Sequence, residues 1–277
     1  MTALRNVGGN RLAIGSGIAT RVSDDPTGSI RKPGNFQAYS KAPSYMAWSG
    51  MWGVYLTDLL VFTCAMVVQP TTFPTGTRFE WDVTPAPDWG GINGYLALQY
   101  GNYDDSSGTL TPRQITNITA LSMNVDWTFA GDNATGLLCE CWLTATSHAT
   151  GSITTGGADL LAEVGFIAKV SPHAQSYLEA GAVVGTGSFV SGGVTWNVIY
   201  HPEGTSGHYY LAYRNGYVDH KGVFPFKDYL TFLVTSGAIT TAGAFTGNEW
   251  FNGLAFGAEC DSGAASYTIN TFTPTYS

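Results

Sequence analysis

Short apolar or alternating runs recur along most of the chain and predict β-strands. The run "TRFEWDV" alternates apolar and polar positions, whereas "LLVFTCAMVV" is apolar throughout. Gly, Pro, Asn and Asp separate these runs at short intervals, as turn residues do between strands. From about residue 36 to the end, this pattern predicts an all-β fold, in which sheets pack as a sandwich or close into a barrel.

One stretch has a helical period instead. In "PFKDYLTFLVTSG", residues 225–237, the apolar positions recur at the spacing of one helix face. A proline suits the first turn of a helix, and a glycine suits its end. We therefore expect one helix on a β background. The positions that define it are Pro225, Phe226, Tyr229, Leu230, Leu233, Val234 and Gly237.

The chain divides into an extension and one domain. Residues 1–35 are rich in Gly, Ser, Asp and Arg without a sustained period, which predicts an N-terminal extension or arm. No linker interrupts residues 36–277, which we expect to form a single domain. The apolar run "LLVFTCAMVV" is too short to span a bilayer, so no membrane span is expected. The N-terminal residues show no signal peptide.

Composition narrows the classes of ligand. The 277 residues carry a formal net charge of −8, and the 12 Lys and Arg residues form no cluster. Nucleic acid is therefore not an expected partner, because phosphate binding needs concentrated positive charge. The chain also contains 8 Trp and 15 Tyr residues. Few charges and many aromatic rings favour a neutral ligand such as a sugar.

Familiar catalytic and metal-binding motifs are missing. The sequence has no Gly-x-Ser-x-Gly, no phosphate-binding loop with its lysine, and no His-Glu-x-x-His. The four cysteines have no spacing typical of a zinc site, and Cys139 and Cys141 are poorly placed to pair with each other. We expect no metal and no cofactor.

Carboxylates on predicted strands remain as candidates for chemistry. Glu163 in "LLAEVGFIAKV", Glu259 in "LAFGAEC" and Glu140 in "LLCECWLTA" all have apolar neighbours. A charge in such a place costs free energy unless it reaches the surface or is compensated, so each one either ends a strand or lines a cleft. For any one of these glutamates taken alone, a purely structural role is the commoner interpretation. Two carboxylates on separate strands of a Trp-rich sandwich suggest glycoside hydrolysis, which requires such a pair.

The order of motifs from residue 36 onward resembles glycoside hydrolase family 12, the small endoglucanases and xyloglucanases. The resemblance rests on "SGMWG", on "FEWDVTPAPDWGG" followed by "LALQYGN", on "ITALSMNVDWTFAGDNATGLLCECWLTA", on "AEVGFIA", on "GVTWNVIY", and on "WFNGLAFGAECDSGAASYTINTFT". Each motif is weak alone, and the ordered set is more specific. It implies a β-jelly-roll of two stacked antiparallel sheets, the inner one curved into an open groove, with one helix packed outside.

The resemblance also implies an activity. "AEVGFIA" falls on the family's nucleophile strand, which puts Glu163 in the role of nucleophile. "FGAE" matches the segment that carries the acid/base, which puts Glu259 in that role. The implied reaction is retaining endo-hydrolysis of a β-1,4-linked glucan, whether cellulose, mixed-linkage glucan or xyloglucan. It further implies an extracellular, monomeric enzyme that needs no cofactor.

The same motifs suggest residues that bind the sugar chain. Trp52 and Trp81 are the first candidates for stacking platforms, and Trp89, Trp127 and Trp196 are the others. A tryptophan of the core is the competing interpretation, because large aromatic side chains are mostly buried in any case.

Two departures from the family pattern affect the site. Gly165 and Ile167 stand where Met and Trp are usual, which predicts a wider or reshaped cleft near the nucleophile. The family's aspartate that supports the nucleophile aligns with Cys141, and Glu140 is one residue away. Support could come from Cys141, or from Glu140 if a β-bulge turned it toward the site. Cys64 resembles half of the family's disulfide, without an evident partner.

Other functions fit the same sequence. A non-catalytic carbohydrate-binding or surface structural protein could keep the sandwich and lack turnover. A transglycosylase would use the same two glutamates and pass the sugar to an acceptor. A coat or fibre protein would fit the Gly-rich β composition but leave the pairing of Glu163 and Glu259 unexplained.

Overall fold

The computed structural model places two stacked β-sheets and two α-helices within the residues that it describes. Those residues are 20–21, 28–34, 37–41, 44–51, 62–84, 92–102, 110–132, 134–148, 159–202 and 208–277. The predicted all-β sandwich is confirmed.

The first sheet has seven strands in the spatial order β1-β2-β5-β6-β20-β9-β15, all antiparallel. Their bounds are β1 (Thr20–Arg21), β2 (Ile30–Pro33), β5 (Phe62–Val68), β6 (Arg78–Val83), β9 (Leu121–Gly131), β15 (Gly222–Phe224) and β20 (Gly263–Tyr276). Strand β2 falls inside the predicted N-terminal extension, so part of that segment is built into the sheet. Residues 1–19, 22–27 and 35 of the extension lie outside the described residues.

The second sheet has eleven strands, and its main path runs β12-β13-β14-β11-β10-β19-β7-β4-β3. The bounds along it are β3 (Gln37–Lys41), β4 (Tyr45–Gly50), β7 (Gly94–Gly101), β10 (Gly136–Thr144), β11 (Leu160–Lys169), β12 (Ala182–Ser191), β13 (Val194–Pro202), β14 (His208–Arg214) and β19 (Gly253–Cys260). Short strands β8 (Arg113–Gln114) and β18 (Trp250–Phe251) pair beside β10. A separate hairpin joins β16 (Ile239–Thr240) to β17 (Gly243–Ala244).

One pairing in the second sheet departs from the expected antiparallel arrangement. Strands β11 and β14 run parallel, with Glu163 opposite Tyr209. A parallel pair cannot be joined by a tight turn and needs a longer connection. Here the connection consists of helix α1 (Pro172–Ala180) and the hairpin of β12 and β13, which pairs with β14 from its other side.

The main core lies between the two sheets. Phe79 from β6 and Val125 from β9 meet Val164 and Phe166 from β11 in one buried cluster. A second buried cluster lies on the opposite face of the second sheet and includes Leu138, Ile167 and Leu211, among others. Strands β10 and β11 are consequently buried on both faces along their whole length. That burial explains why their sequences are nearly continuous apolar runs rather than alternating ones.

The predicted helix forms as α2 (Phe226–Thr235), and its apolar side joins the main core. Helix α1 was not predicted, because its apolar stripe is short. Its first turn nevertheless carries a sequence signal. The side chain of Ser171 accepts a hydrogen bond from the backbone N–H of Ala174 (3.1 Å), and Pro172 occupies the first helical position. Neither described helix is long and apolar enough to cross a membrane.

Candidate active site

The candidate site lies on the outer face of the second sheet, which is the face turned away from the first sheet. Side chains alternate between the two faces of a strand. On β11, Ala162, Val164 and Phe166 enter the main core. Glu163 therefore points to the outer face, where it is 7% exposed.

Three neighbouring strands each bring one glutamate to this face. Glu163 is on β11, Glu140 on β10 and Glu259 on β19, and β10 lies between the other two strands. Glu140 is opposite Gly165 on one side and Ala255 on the other. Because no bulge interrupts β10 between residues 138 and 143, plain alternation brings Glu140 to the outer face.

Two tyrosines on the outer face respond to the charges of these glutamates. Burial raises the pKa of Tyr209 well above its usual value, and the negative charges of Glu259, Glu140 and Glu163 raise it further. Tyr95 behaves similarly, since burial raises its pKa and the charges of Glu140 and Glu259 add to the effect. Both tyrosines belong to the second buried cluster, on the same face of the sheet as the glutamates.

The backbone register nevertheless offsets Glu163 from Glu259. Glu163 pairs with Trp142, and Glu259 pairs with Gly136, six residues earlier on β10. At about 3.3 Å per residue, that offset amounts to roughly 20 Å along the strand direction. Glu140 lies between the two and is the diagonal neighbour of Glu163 across one strand boundary. By register alone, Glu140 is therefore closer to Glu163 than Glu259 is.

Cys141 cannot support Glu163, which corrects one of the two expectations for this role. Its side chain is fully buried in the main core, on the opposite face of β10 from Glu140. Burial raises the pKa of the thiol well above its usual value, and the charge of Glu140 adds to that shift. The other three cysteines are also buried, and all four are free thiols. The family pattern puts Cys141 at the supporting position, and the alternation of β10 excludes it.

Three of the five candidate stacking tryptophans are core residues instead. Trp81, Trp127 and Trp196 are all buried in the main core. The ring of Trp196 packs edge-on against Phe166, with centroids 4.7 Å apart. These three rings occupy inward-facing positions of their strands, so no sugar can stack on them. Trp52 and Trp89 lie outside the described residues.

Two tryptophans that were not predicted lie on the outer face. Trp142 on β10 is opposite Glu163 and belongs to the second buried cluster. Trp48 on β4 is opposite Ala97, and its ring covers the Cα of Gly50 so closely that a Cβ there would lie 1.9 Å from it. The sequence could have indicated this position for Trp142, because Trp142 follows Glu140 by two residues and therefore points to the same face of the strand.

The two departures from the family pattern do not open the cleft. A Cβ on Gly165 would lie 3.0 Å from a methyl group of Leu138 and 3.2 Å from one of Leu211. Those two leucines therefore fill the space beside the glycine. Ile167 is buried in the second cluster together with Leu178 of helix α1. The expected widening is absent at these positions, because neighbouring side chains and α1 take up the volume.

Gly257 has a packing role beside Glu259, and we expect Gly257→Ala to disturb the site. A Cβ there would lie 2.7 Å from Ala97 Cβ and 2.7 Å from the ring of Tyr95. The added methyl group must displace Tyr95 or separate β19 from β7, at a cost of about 1–3 kcal/mol in the free energy of unfolding. Chemical denaturation measures this loss.

Gly136→Ala is the matched control for Gly257→Ala. Gly136 faces Glu259 from β10, and the nearest atom to a Cβ built there is 3.5 Å away. We expect this variant to retain wild-type stability. Equal destabilisation by both substitutions would contradict the packing role of Gly257.

Within the described part of the chain, no group of three or more His, Cys, Asp or Glu side chains is arranged to hold a metal ion. The site consists of carboxylates, tyrosine hydroxyls and indole rings. These groups can transfer protons, and a carboxylate can attack at carbon.

The fold of this chain is shared with solved structures of family 12 glycoside hydrolases. No protein-family model matches the sequence, and no curated protein matches it either. Solved structures do match. A family 12 xyloglucanase from Bacillus licheniformis has a TM-score of 0.69 at 12% identity, with 89% of this chain and 100% of that chain covered.

Two further solved structures have the same fold. The catalytic domain of Humicola grisea Cel12A, in complex with a soaked thio cellotetraose, has a TM-score of 0.68 at 15% identity, covering 89% of this chain and 99% of that one. Trichoderma harzianum endoglucanase 3 from family GH12 has a TM-score of 0.66 at 13% identity, covering 89% and 97%. At such identities the likeness establishes the fold.

Proposed function

We propose that this protein is a retaining glycoside hydrolase that cleaves β-1,4-linked glucans. The observation that carries the proposal is that three neighbouring strands bring Glu163, Glu140 and Glu259 to one face of a fold shared with family 12 structures, with Glu140 the diagonal neighbour of Glu163. A cluster of charges among apolar neighbours lowers the stability of a fold unless it is compensated. Ionisable groups in such surroundings are concentrated at functional sites.

In the proposed reaction, the carboxylate of Glu163 attacks the anomeric carbon and forms a covalent glycosyl-enzyme. Glu259 protonates the leaving oxygen, and then takes a proton from the water that releases the sugar. The configuration at the anomeric carbon is retained, because two displacements occur in sequence. Glu259 must hold a proton while Glu163 is ionised, and a second carboxylate nearby favours the protonated form of its neighbour.

Glu140 takes the supporting role in this proposal. It lies on β10, between the strands of the other two glutamates, and its charge acts on the same tyrosines. We assign it to orienting Glu163 and to holding negative charge beside the acid/base. The alternative assignment makes Glu140 itself the acid/base, since it is nearer to Glu163 in the strand register.

The sugar chain needs flat apolar surfaces that its rings can stack on. Trp142, Tyr95 and Trp48 lie on the outer face of β10, β7 and β4, on one side of Glu163. Trp142 and Tyr95 are only 2% and 4% exposed, so we propose the partly exposed Trp48 as the ring on which a sugar stacks, in place of Trp81, Trp127 and Trp196. Aromatic rings supply large contact area with little loss of conformational entropy on binding.

The test is hydrolysis of soluble glucans. We expect release of reducing sugar from at least one of carboxymethyl-cellulose, mixed-linkage β-glucan and xyloglucan, and proton NMR should show the β-anomer as the first product. An initial α-anomer would contradict the retaining mechanism. Binding of a glucan without any product would select a carbohydrate-binding protein, and lengthened products with added oligosaccharide acceptors would select a transglycosylase.

A further inference from the structure

Strand β12 forms one edge of the second sheet. Among the described strands it pairs only with β13. An edge strand presents backbone N–H and C=O groups that can pair with a strand of another chain, and native proteins protect such edges by short length, charges or a covering segment. Strand β12 (Ala182–Ser191) is ten residues long, and none of them is charged.

The other edges of the two sheets are better protected than β12 in the part of the chain that the structure describes. On the opposite edge of the second sheet, β3 ends at Lys41, and the carbonyl of Ala38 accepts a hydrogen bond from Lys32 Nζ (2.6 Å). The edge strands of the first sheet, β1 and β15, have only two and three residues. A long and uncharged edge is therefore particular to β12.

Two valines of β12 are exposed on the outer face of the sheet. Val183 is opposite Ile199, which belongs to the second buried cluster on that face. Val190 is opposite Thr195, four residues before Ile199 on the same strand, so it points to the same face. The exposed fractions of Val183 and Val190 are 71% and 67%, the highest for large apolar side chains among the described residues.

The inner face of β12 is anchored, so the strand is held in place at the edge. Val184 is buried in the main core, and Phe189 stacks on Tyr229 of helix α2 with centroids 5.3 Å apart. Between these residues the register with β13 shifts, and a Cβ on Gly185 would lie 2.5 Å from the Cβ of Ser236 at the end of α2. The end of α2 thus lies against the middle of β12, and the two ends of the strand remain exposed.

The charge distribution favours a second copy of this chain as the partner. Residues 182–202, which span β12 and β13, contain no Asp, Glu, Lys or Arg, although the chain has a formal net charge of −8. Two copies of an acidic protein repel each other where their charges face, and this hairpin is a region without that repulsion. An acidic or a basic partner would find no charge of opposite sign on it.

The two ends of β12 are complementary to each other. When two identical strands pair antiparallel about a two-fold axis between residues 186 and 187, position 183 of one copy is opposite position 190 of the other. Val183 and Val190 therefore meet twice, once on each side of the axis. An interface of this kind uses the same patch on both copies, as is usual in homodimers.

We propose that β12 pairs antiparallel with β12 of a second copy, so that the protein is a dimer in which the second sheets of both copies form one continuous sheet. The dimer takes the place of the monomer that the family resemblance implies. A two-fold axis perpendicular to the sheet keeps the two outer faces on the same side. This inference does not depend on the proposed function, because none of the three glutamates takes part in it.

The first test is the molar mass in solution, measured by light scattering over a series of protein concentrations. We expect the wild-type mass to approach twice that of one chain as the concentration rises. Val190→Lys places two charges in the paired edges, and we expect it to raise the dissociation constant of the dimer by roughly 100-fold or more. Circular dichroism shows whether the variant is folded.

Val223→Lys is the matched control for Val190→Lys. Val223 is also an exposed valine of an edge strand, but it lies on β15 of the first sheet and is 53% exposed. This variant should dimerise like the wild type.

A cross-linking test examines the register. Chains with Val183→Cys and chains with Val190→Cys, mixed and treated with a mild oxidant, should form a disulfide between the two positions. Each variant alone should form none, because identical positions lie seven residues apart along the pair, or about 23 Å, and a disulfide needs Cα atoms within about 7 Å. The four native cysteines are buried.

Three results would overturn the proposal. The first is a monomeric wild type at every concentration, which is also the result expected if a strand of the same chain covered β12. The second is a dimer that Val190→Lys leaves intact, since its interface would lie elsewhere. The third is cross-linking of each cysteine variant alone as readily as in the mixture. None of these results would change the proposal of glucan hydrolysis, which is tested by its products.

Discussion

Glu163→Gln is expected to reduce glucan hydrolysis by roughly 10⁴-fold or more, because the amide cannot attack the anomeric carbon and no other group forms the covalent intermediate. The substitution is nearly isosteric, so the outer cluster around Glu163 should remain packed. The loss should be similar for polymers and for aryl glycosides with good leaving groups, since both require the nucleophile. Initial rates of reducing-sugar and of aryl-alcohol release measure it.

Glu259→Gln should behave differently in one respect. Loss of a general acid costs roughly 10²–10⁴-fold on a glucan, whose leaving alcohol needs a proton. An activated aryl glycoside needs none, so formation of the glycosyl-enzyme should remain fast. We therefore expect a burst of aryl-alcohol release followed by slow turnover in this variant, and no burst in Glu163→Gln.

Glu80→Gln is the control for both substitutions. Glu80 lies on β6 of the first sheet and pairs with Arg31 and Arg78 at the surface. Its loss should cost at most about 1 kcal/mol of stability and no activity. Near-native hydrolysis by either Glu163→Gln or Glu259→Gln would contradict the assignment of that residue.

The second large effect concerns Glu140 and its neighbour Cys141, which form a matched pair on opposite faces of one strand. Glu140→Gln removes a negative charge beside the other two glutamates. Because like charges disfavour ionisation of their neighbours, both limbs of the pH–rate profile should move to lower pH, by about 1 unit. The rate at the wild-type optimum should fall as a result.

Cys141→Ala should leave the pH–rate profile unchanged, since the thiol faces the main core. It should lower the free energy of unfolding by about 1 kcal/mol through loss of packing. A shifted profile for Cys141→Ala would contradict the described orientation of β10. If Glu140→Gln, rather than Glu259→Gln, showed the burst with an aryl glycoside, the acid/base role would belong to Glu140.

The two helices show how much of the fold a local sequence pattern can predict. Helix α2 was predicted because five apolar residues repeat at helical spacing between Pro225 and Gly237. Helix α1 has only Ala174 and Leu178 as buried residues, and Ser171 and Pro172 were its clearest signal. Its position over the outer face depends on contacts with β11, β13 and β14, which are distant in sequence, so no local period could have indicated it.

The tryptophans were the weakest part of the sequence interpretation. An indole ring has the same sequence signature in a core and in a sugar-binding face, because both environments favour large apolar rings. Only the face of the strand on which the ring lies distinguishes a core tryptophan from one on the opposite face. Trp142 shares its face with Glu140, whereas Trp196 packs on Phe166 in the main core.

By itself, the sequence determined the all-β class, helix α2 and the three strand glutamates, because these depend on residue type and on short-range periodicity. The tertiary structure decided which face of the sheet each glutamate occupies, which face of β10 carries Glu140, and which tryptophan rings lie in the main core. Those questions depend on strand order and register, which join residues more than a hundred positions apart. A shift of one residue in register reverses the face of every side chain on a strand, and short-range sequence patterns contain no measure of that pairing.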